Sequence, residues 1–151
     1  MPASAQEMGQ AGAALMKPIR ILLVDDHPGM LRQLAGMLPE GFEVVEMLES
    51  GKGVPAAIAE HHPDIIVLDI TLPGQSGIQV ASQLRRAGDE TKIIFLTMHN
   101  DPDYARAALE SGGMAYVVKM RMASDLGPAL RAVTAGERYI SPSPELKELR
   151  A

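Results

Sequence analysis

Blocks of consecutive aliphatic residues alternate with stretches whose apolar positions recur every three or four residues. The segments Ile19 to Val24, Asp64 to Asp69, Lys92 to Thr97 and Ala115 to Val118 each carry a nearly unbroken apolar run. That is the pattern of strands buried on both faces of a parallel sheet. Phe42 to Leu48 adds a fifth, more mixed strand. Between them, Pro28 to Leu38 places Met30, Leu31, Leu34, Met37 and Leu38 on one helical face, with Pro28 suited to the first helical position. A second helix runs to His61, its start blurred by Gly51, Gly53 and Pro55. Ser76 caps a third, which carries Ile78, Val80, Ala81 and Leu84 to Arg86 and stops at Gly88. Asp101-Pro102 opens a fourth that ends at Gly112-Gly113. The last helix ends near Ala135-Gly136. Ser124 could cap it, but Gly127-Pro128 would then fall in the first turn, so the preferred reading starts it late with Pro128 at the first position. Five strands alternating with five helices predict an α/β fold built on a doubly wound parallel sheet.

Composition narrows the class. The chain has 151 residues, which favours one domain. Hydrophobic residues make up 46% and charged residues 22%, so the chain can bury a core and is not expected to be disordered. Aromatics are only 3%, and ten Met join Ala, Leu and Ile in filling the interior. No cysteine is present, which excludes disulfides, zinc–thiolate sites and thiol catalysis. A net charge of −5 argues against nucleic-acid binding by this chain. No segment approaches the ~20 apolar residues needed to cross a bilayer, so no membrane role and a cytoplasmic location are expected. Residues 1–17 read as a flexible N-terminal extension, residues 18–136 as the folded domain, and residues 137–151 as a linker-like tail with Pro142 and Pro144.

The candidate chemistry stands at the C-terminal ends of the strands, where open α/β sheets place their reactive groups. Asp25-Asp26 closes the first strand, Asp69 the third, Thr97 the fourth and Lys119 the fifth. A carboxylate can accept a phosphoryl group only if the charge of the incoming oxygens is neutralised. Mg²⁺ does this with oxygen ligands, for which Asp25, Asp26, Asp69 and the backbone carbonyl of Thr71 are suitable. Lys119 would pair with a phosphoryl oxygen and Thr97 would donate its hydroxyl to another. Each residue alone has a plainer reading: Asp25-Asp26 as a helix cap, Thr97 as a strand-end threonine, Lys119 as a solvated lysine, Tyr116 as a core tyrosine. Asp25-Asp26, Asp69, Thr97 and Lys119 together at strand ends favour function. His27, His61, His62 and His99 lack metal-ligand spacing, so surface or capping roles are expected for them.

The residues Val24-Asp25-Asp26-His27-Pro28, Val67 to Gly74, Leu96-Thr97-Met98-His99 and Tyr116-Val117-Val118-Lys119 resemble the receiver domain of two-component response regulators. The absence of proline after Lys119, and Ala135 to Pro142, resemble the NarL/FixJ type with LuxR-type output. The resemblance implies a flavodoxin-like receiver fold with strand order 2-1-3-4-5. It implies that Asp69 is the phospho-acceptor, served by a histidine kinase, with Mg²⁺ as cofactor held by Asp26 and Asp69 and by Asp25 through water. It implies that Thr97 and Tyr116 form the switch, that the chain homodimerises on phosphorylation, and that it is a signalling domain with slow autodephosphorylation and not an enzyme. Thr71 and His99 depart from common family residues at positions that set phosphate lifetime.

The expected role is therefore the receiver part of a transcriptional regulator. A stand-alone receiver acting by protein contacts is the alternative. An aspartyl-phosphate hydrolase of the haloacid-dehalogenase kind would need an acid at position 71, where Thr stands, and a nucleotide-binding module would need a Gly-rich loop after the first strand.

Overall fold

A computed structural model describes residues 17–150. Apart from Lys17, the expected N-terminal extension lies outside the described residues. The strands are β1 (Ile19–Val24), β2 (Phe42–Leu48), β3 (Ile65–Asp69), β4 (Lys92–Thr97), β5 (Ala115–Val118) and β6 (Tyr139–Ile140). The helices are α1 (Pro28–Met37), α2 (Val54–His61), α3 (Gly77–Arg86), α4 (Pro102–Glu110), α5 (Met122–Thr134) and the short α6 (Lys147–Arg150). One parallel sheet runs in the order β2-β1-β3-β4-β5-β6.

Strand alternation divides the core in two. Leu22, Val24, Ile66, Leu68, Phe95, Tyr116 and Val118 face α2, α3 and α4. Ile21, Leu23, Ile65, Val67, Ile94, Leu96 and Val117 face α1 and α5. The apolar runs are apolar because both faces are covered. The caps follow the expected chemistry: Ser76 Oγ accepts from Gln79 N at 3.2 Å while Ser76 N donates to Gln79 Oε1 at 2.9 Å, and Asp101 Oδ1 accepts from Asp103 N at 2.8 Å.

Three expectations change. The sheet has six strands instead of five, because Tyr139–Ile140 pairs with the outer edge of β5 and takes up its ladder groups. The tail read as a linker therefore carries a strand, and beyond it Leu146 is fully buried in the core beside Ala105 and Ala108 of α4. The last helix begins at Met122 and runs through Pro128. The carbonyl that Pro128 leaves without an intrahelical donor belongs to Ser124, an exposed residue where water can serve. The short 3-10 helix Lys119–Arg121 leads directly into this helix, so no late start is needed.

The order of the sheet reverses at β1 and β3, whose neighbouring ends bring Asp25 and Asp69 side by side: Val24 pairs with Leu68. Such a switch point opens a crevice beyond the strand ends.

Candidate functional site

The crevice is a cleft of about 280 Å³ lined by Asp26, His27, Asp69, Thr71, Met98, His99 and Lys119. A larger cleft of about 540 Å³ lies around Lys17, Arg20, Asp64, Lys92 and Thr134, and holds none of the strand-end residues. Asp69 is held at the end of β3 by a close approach: the start of α3 packs so tightly on it that a Cβ at Gly77 would lie 2.2 Å from Asp69 O. Gly77 N donates to Ile70 O at 2.8 Å across the same junction.

Lys119 Nζ lies 2.8 Å from Asp25 Oδ2 and 3.1 Å from Asp69 Oδ2, and all three side chains are less than a tenth exposed. Thr71 N donates to Asp69 Oδ1 at 3.1 Å. Burial pushes the Asp69 carboxyl above its ordinary range; Lys119 opposes this only in part, and Asp25 adds repulsion. For Lys119, burial works against the charge, but the two carboxylates outweigh it and hold the ammonium above its usual range. The lysine is thus a fixed positive charge inside the cleft.

Asp26 completes the acid group, with Oδ1 at 2.9 Å from His27 Nδ1. His27 N donates to Asp25 Oδ1 at 2.9 Å. Asp25 Oδ2 and Asp26 Oδ1 are buried oxygens whose basic neighbours are Lys119 Nζ at 2.8 Å and His27 Nδ1 at 2.9 Å. Three carboxylates here face one ammonium, leaving a surplus of two negative charges. Three clustered carboxylates with that surplus fit a hard divalent cation with oxygen ligands.

Thr97 and Tyr116 stand behind the cleft and are both fully buried. Thr97 Oγ accepts from His99 N at 3.1 Å, and the Tyr116 hydroxyl donates to His99 O at 2.7 Å. Burial pushes the Tyr116 hydroxyl well above its usual range, so it remains a donor.

The structure therefore brings Asp25, Asp26, Asp69, Thr71 and Lys119 together and sets Thr97 and Tyr116 one layer below. His27 takes the expected exposed capping position, and both it and His99 also line the cleft. His27 touches both acids of β1. His99 meets Thr71 Oγ through Nε2 at 3.4 Å, takes up Thr97 and Tyr116 through its backbone, and stacks on Tyr104 with ring centroids 4.3 Å apart. Their signal was position: each follows a strand-end motif residue by one or two places.

Comparison with known proteins gives one answer. A family model described as response regulator receiver domain matches residues 21–131. Response regulator GacA of Pseudomonas viridiflava is 32% identical over 128 residues, covering 82% of this chain and 59% of the relative. The chain thus spans 59% of the length of that relative. Among solved structures, a two-component response regulator of the LuxR family from Aurantimonas sp. SI85-9A1 superposes with a TM-score of 0.79 at 34% identity, covering 88% of this chain and 98% of the other. The isolated REC domain of RcsB from Salmonella enterica serovar Typhimurium, in the presence of phosphomimetic BeF3-, gives a TM-score of 0.76 at 25% identity, covering 87% and 98%.

Proposed function

Because this chain belongs to the response regulator receiver family of two-component systems, we propose that Asp69 is its phospho-acceptor and a histidine kinase its donor. The observation that carries this reading is the position of Asp69 beside Lys119 and two further carboxylates, whose negative charge one ammonium does not balance.

An Asp69 carboxylate oxygen forms the O–P bond as the P–N bond of the donor's phosphohistidine breaks, and the imidazole leaves with the bonding pair. Thr71 N and Lys119 Nζ orient the carboxylate before reaction, and Lys119 can turn its charge to a phosphoryl oxygen afterwards. Asp25, Asp26, Asp69 and the Thr71 carbonyl would hold Mg²⁺, which supplies charge neutralisation for the phosphoryl oxygens. Thr97 offers its hydroxyl to the new phosphate. Its movement bears on His99 and so on the Tyr116 hydroxyl, which makes these residues the switch.

The likeness to a LuxR-family regulator supports a place as the receiver part of a transcriptional regulator, with homodimerisation on phosphorylation as its output step. Acetyl phosphate with Mg²⁺ should add one phosphate to the intact chain, read by mass spectrometry, and Asp69→Asn should abolish it. Full labelling of that variant would overturn the assignment.

A further inference from the structure

Strand β6 stops one step short of the end of β5: Tyr116 pairs with Ile140, and the next residue, Ser141, donates its own N–H to Tyr116 O at 2.9 Å. Val118 N therefore has no β6 carbonyl to meet. The Ser141 side chain takes that place, its Oγ accepting from Val118 N at 3.0 Å and donating to Asp125 Oδ2 at 2.7 Å. Asp125, on α5, is only 2% exposed and Ser141 is fully buried. The same carboxylate accepts from Arg121 Nε at 3.0 Å and Arg121 Nη2 at 3.4 Å. One buried carboxylate thus secures both flanks of the short turn Lys119–Arg121, through Ser141 on the Val118 side and directly on the Arg121 side. Lys119 is the first residue of that turn.

We infer that Ser141 and Asp125 are positioning residues for Lys119, so that the segment beyond α5 completes the phosphorylation site. A lysine side chain has four rotatable carbons and reaches Asp25 and Asp69 together only from a fixed root. The hydroxyl of Ser141 is the part of the clamp that no carbon side chain can replace, because it must accept and donate at once. A plain staple for β6 would also need these bonds, but it would act on the fold alone and not through the lysine.

The inference rests on Asp69 being the phospho-acceptor, and the test separates the two. Labelling of the full chain by acetyl phosphate and Mg²⁺ is followed by mass spectrometry for the wild type, Ser141→Ala, Ser141→Thr, Lys119→Met and the combination of Ser141→Ala with Lys119→Met. Circular dichroism checks folding, and Asp125→Asn, of the same shape, serves in place of Ser141→Ala if that variant does not fold. Loss of positioning should slow Ser141→Ala about 10-fold at saturating acetyl phosphate. Ser141→Thr should return to within about 2-fold of the wild type, and Ser141→Ala should add less than about 2-fold in the Lys119→Met background. Unchanged labelling of folded Ser141→Ala, or equal slowing with and without Lys119, overturns the inference. A wild type that takes no phosphate instead refutes the phospho-acceptor reading, and is seen before any variant is compared.

Discussion

Replacing Lys119 by Met keeps the length of the side chain and removes its charge from between two buried carboxylates. At 2.8 and 3.1 Å, and with an effective dielectric constant of 20, each ion pair has a gross attraction of roughly 5–6 kcal/mol. Desolvation of the three groups offsets most of that in the wild type. The variant keeps the desolvated carboxylates and loses their partner, for which a net destabilisation of about 3–5 kcal/mol is expected at neutral pH without metal. For a chain of this size that corresponds to a fall in Tm of roughly 6–20 °C.

The loss should depend on pH in a definite direction. The folded-state value of Asp69 already lies above its ordinary 3.8, so its contribution to stability is fully present below that pH. It is lost as pH rises through the raised folded value. Without Lys119 the folded value rises further, so the gap between variant and wild type should be smallest in acid and widen towards neutrality. Urea unfolding in EDTA at pH 5 and pH 7.5 measures both gaps. A gap below about 1 kcal/mol at pH 7.5, or one that does not shrink on acidification, would refute the reasoning.

Gly77→Ala should cost about 1–3 kcal/mol or more, because its Cβ would meet backbone at Asp69 that has nowhere to move; it should also slow labelling of Asp69, and normal rates in that variant would show the junction to be pliable. Leu146→Ala should lose about 2–5 kcal/mol in a denaturant titration, whereas a near-neutral result would show that the tail is not part of the core. Tyr116→Phe should lose about 0.5–1.5 kcal/mol from the bond to His99 O yet still take phosphate, and failure to label would place the hydroxyl in the chemistry instead.

The sheet and the acid group were legible because burial on both faces writes itself as unbroken aliphatic runs, and the polar residue that ends each run is where the chain leaves the core. Asp69, Asp25 and Lys119 could be found by that contrast alone. Strand β6 could not: two residues between Gly136 and Pro142 carry no period, and only the open edge of β5 makes them a strand. Pro128 misled for a related reason. Its penalty is local, while the helix around it is fixed by Leu126, Ala129, Leu130 and Val133 against the sheet. His99 and Asp125 each also make a contact more than 15 residues away along the chain, to Tyr116 and Ser141, which no local spacing displays.

Strand β6 also bears on how the molecule avoids its own kind. Cut the chain after α5 and β5 becomes a terminal strand whose four residues, all buried at present, present unpaired amides and an apolar strip together. Such an edge accepts any extended segment that can supply hydrogen bonds, including the same edge of a neighbour. A receiver trimmed to residues 18–136 should therefore be prone to self-association along the bared edge of β5, which the two residues of β6 cover in the longer chain.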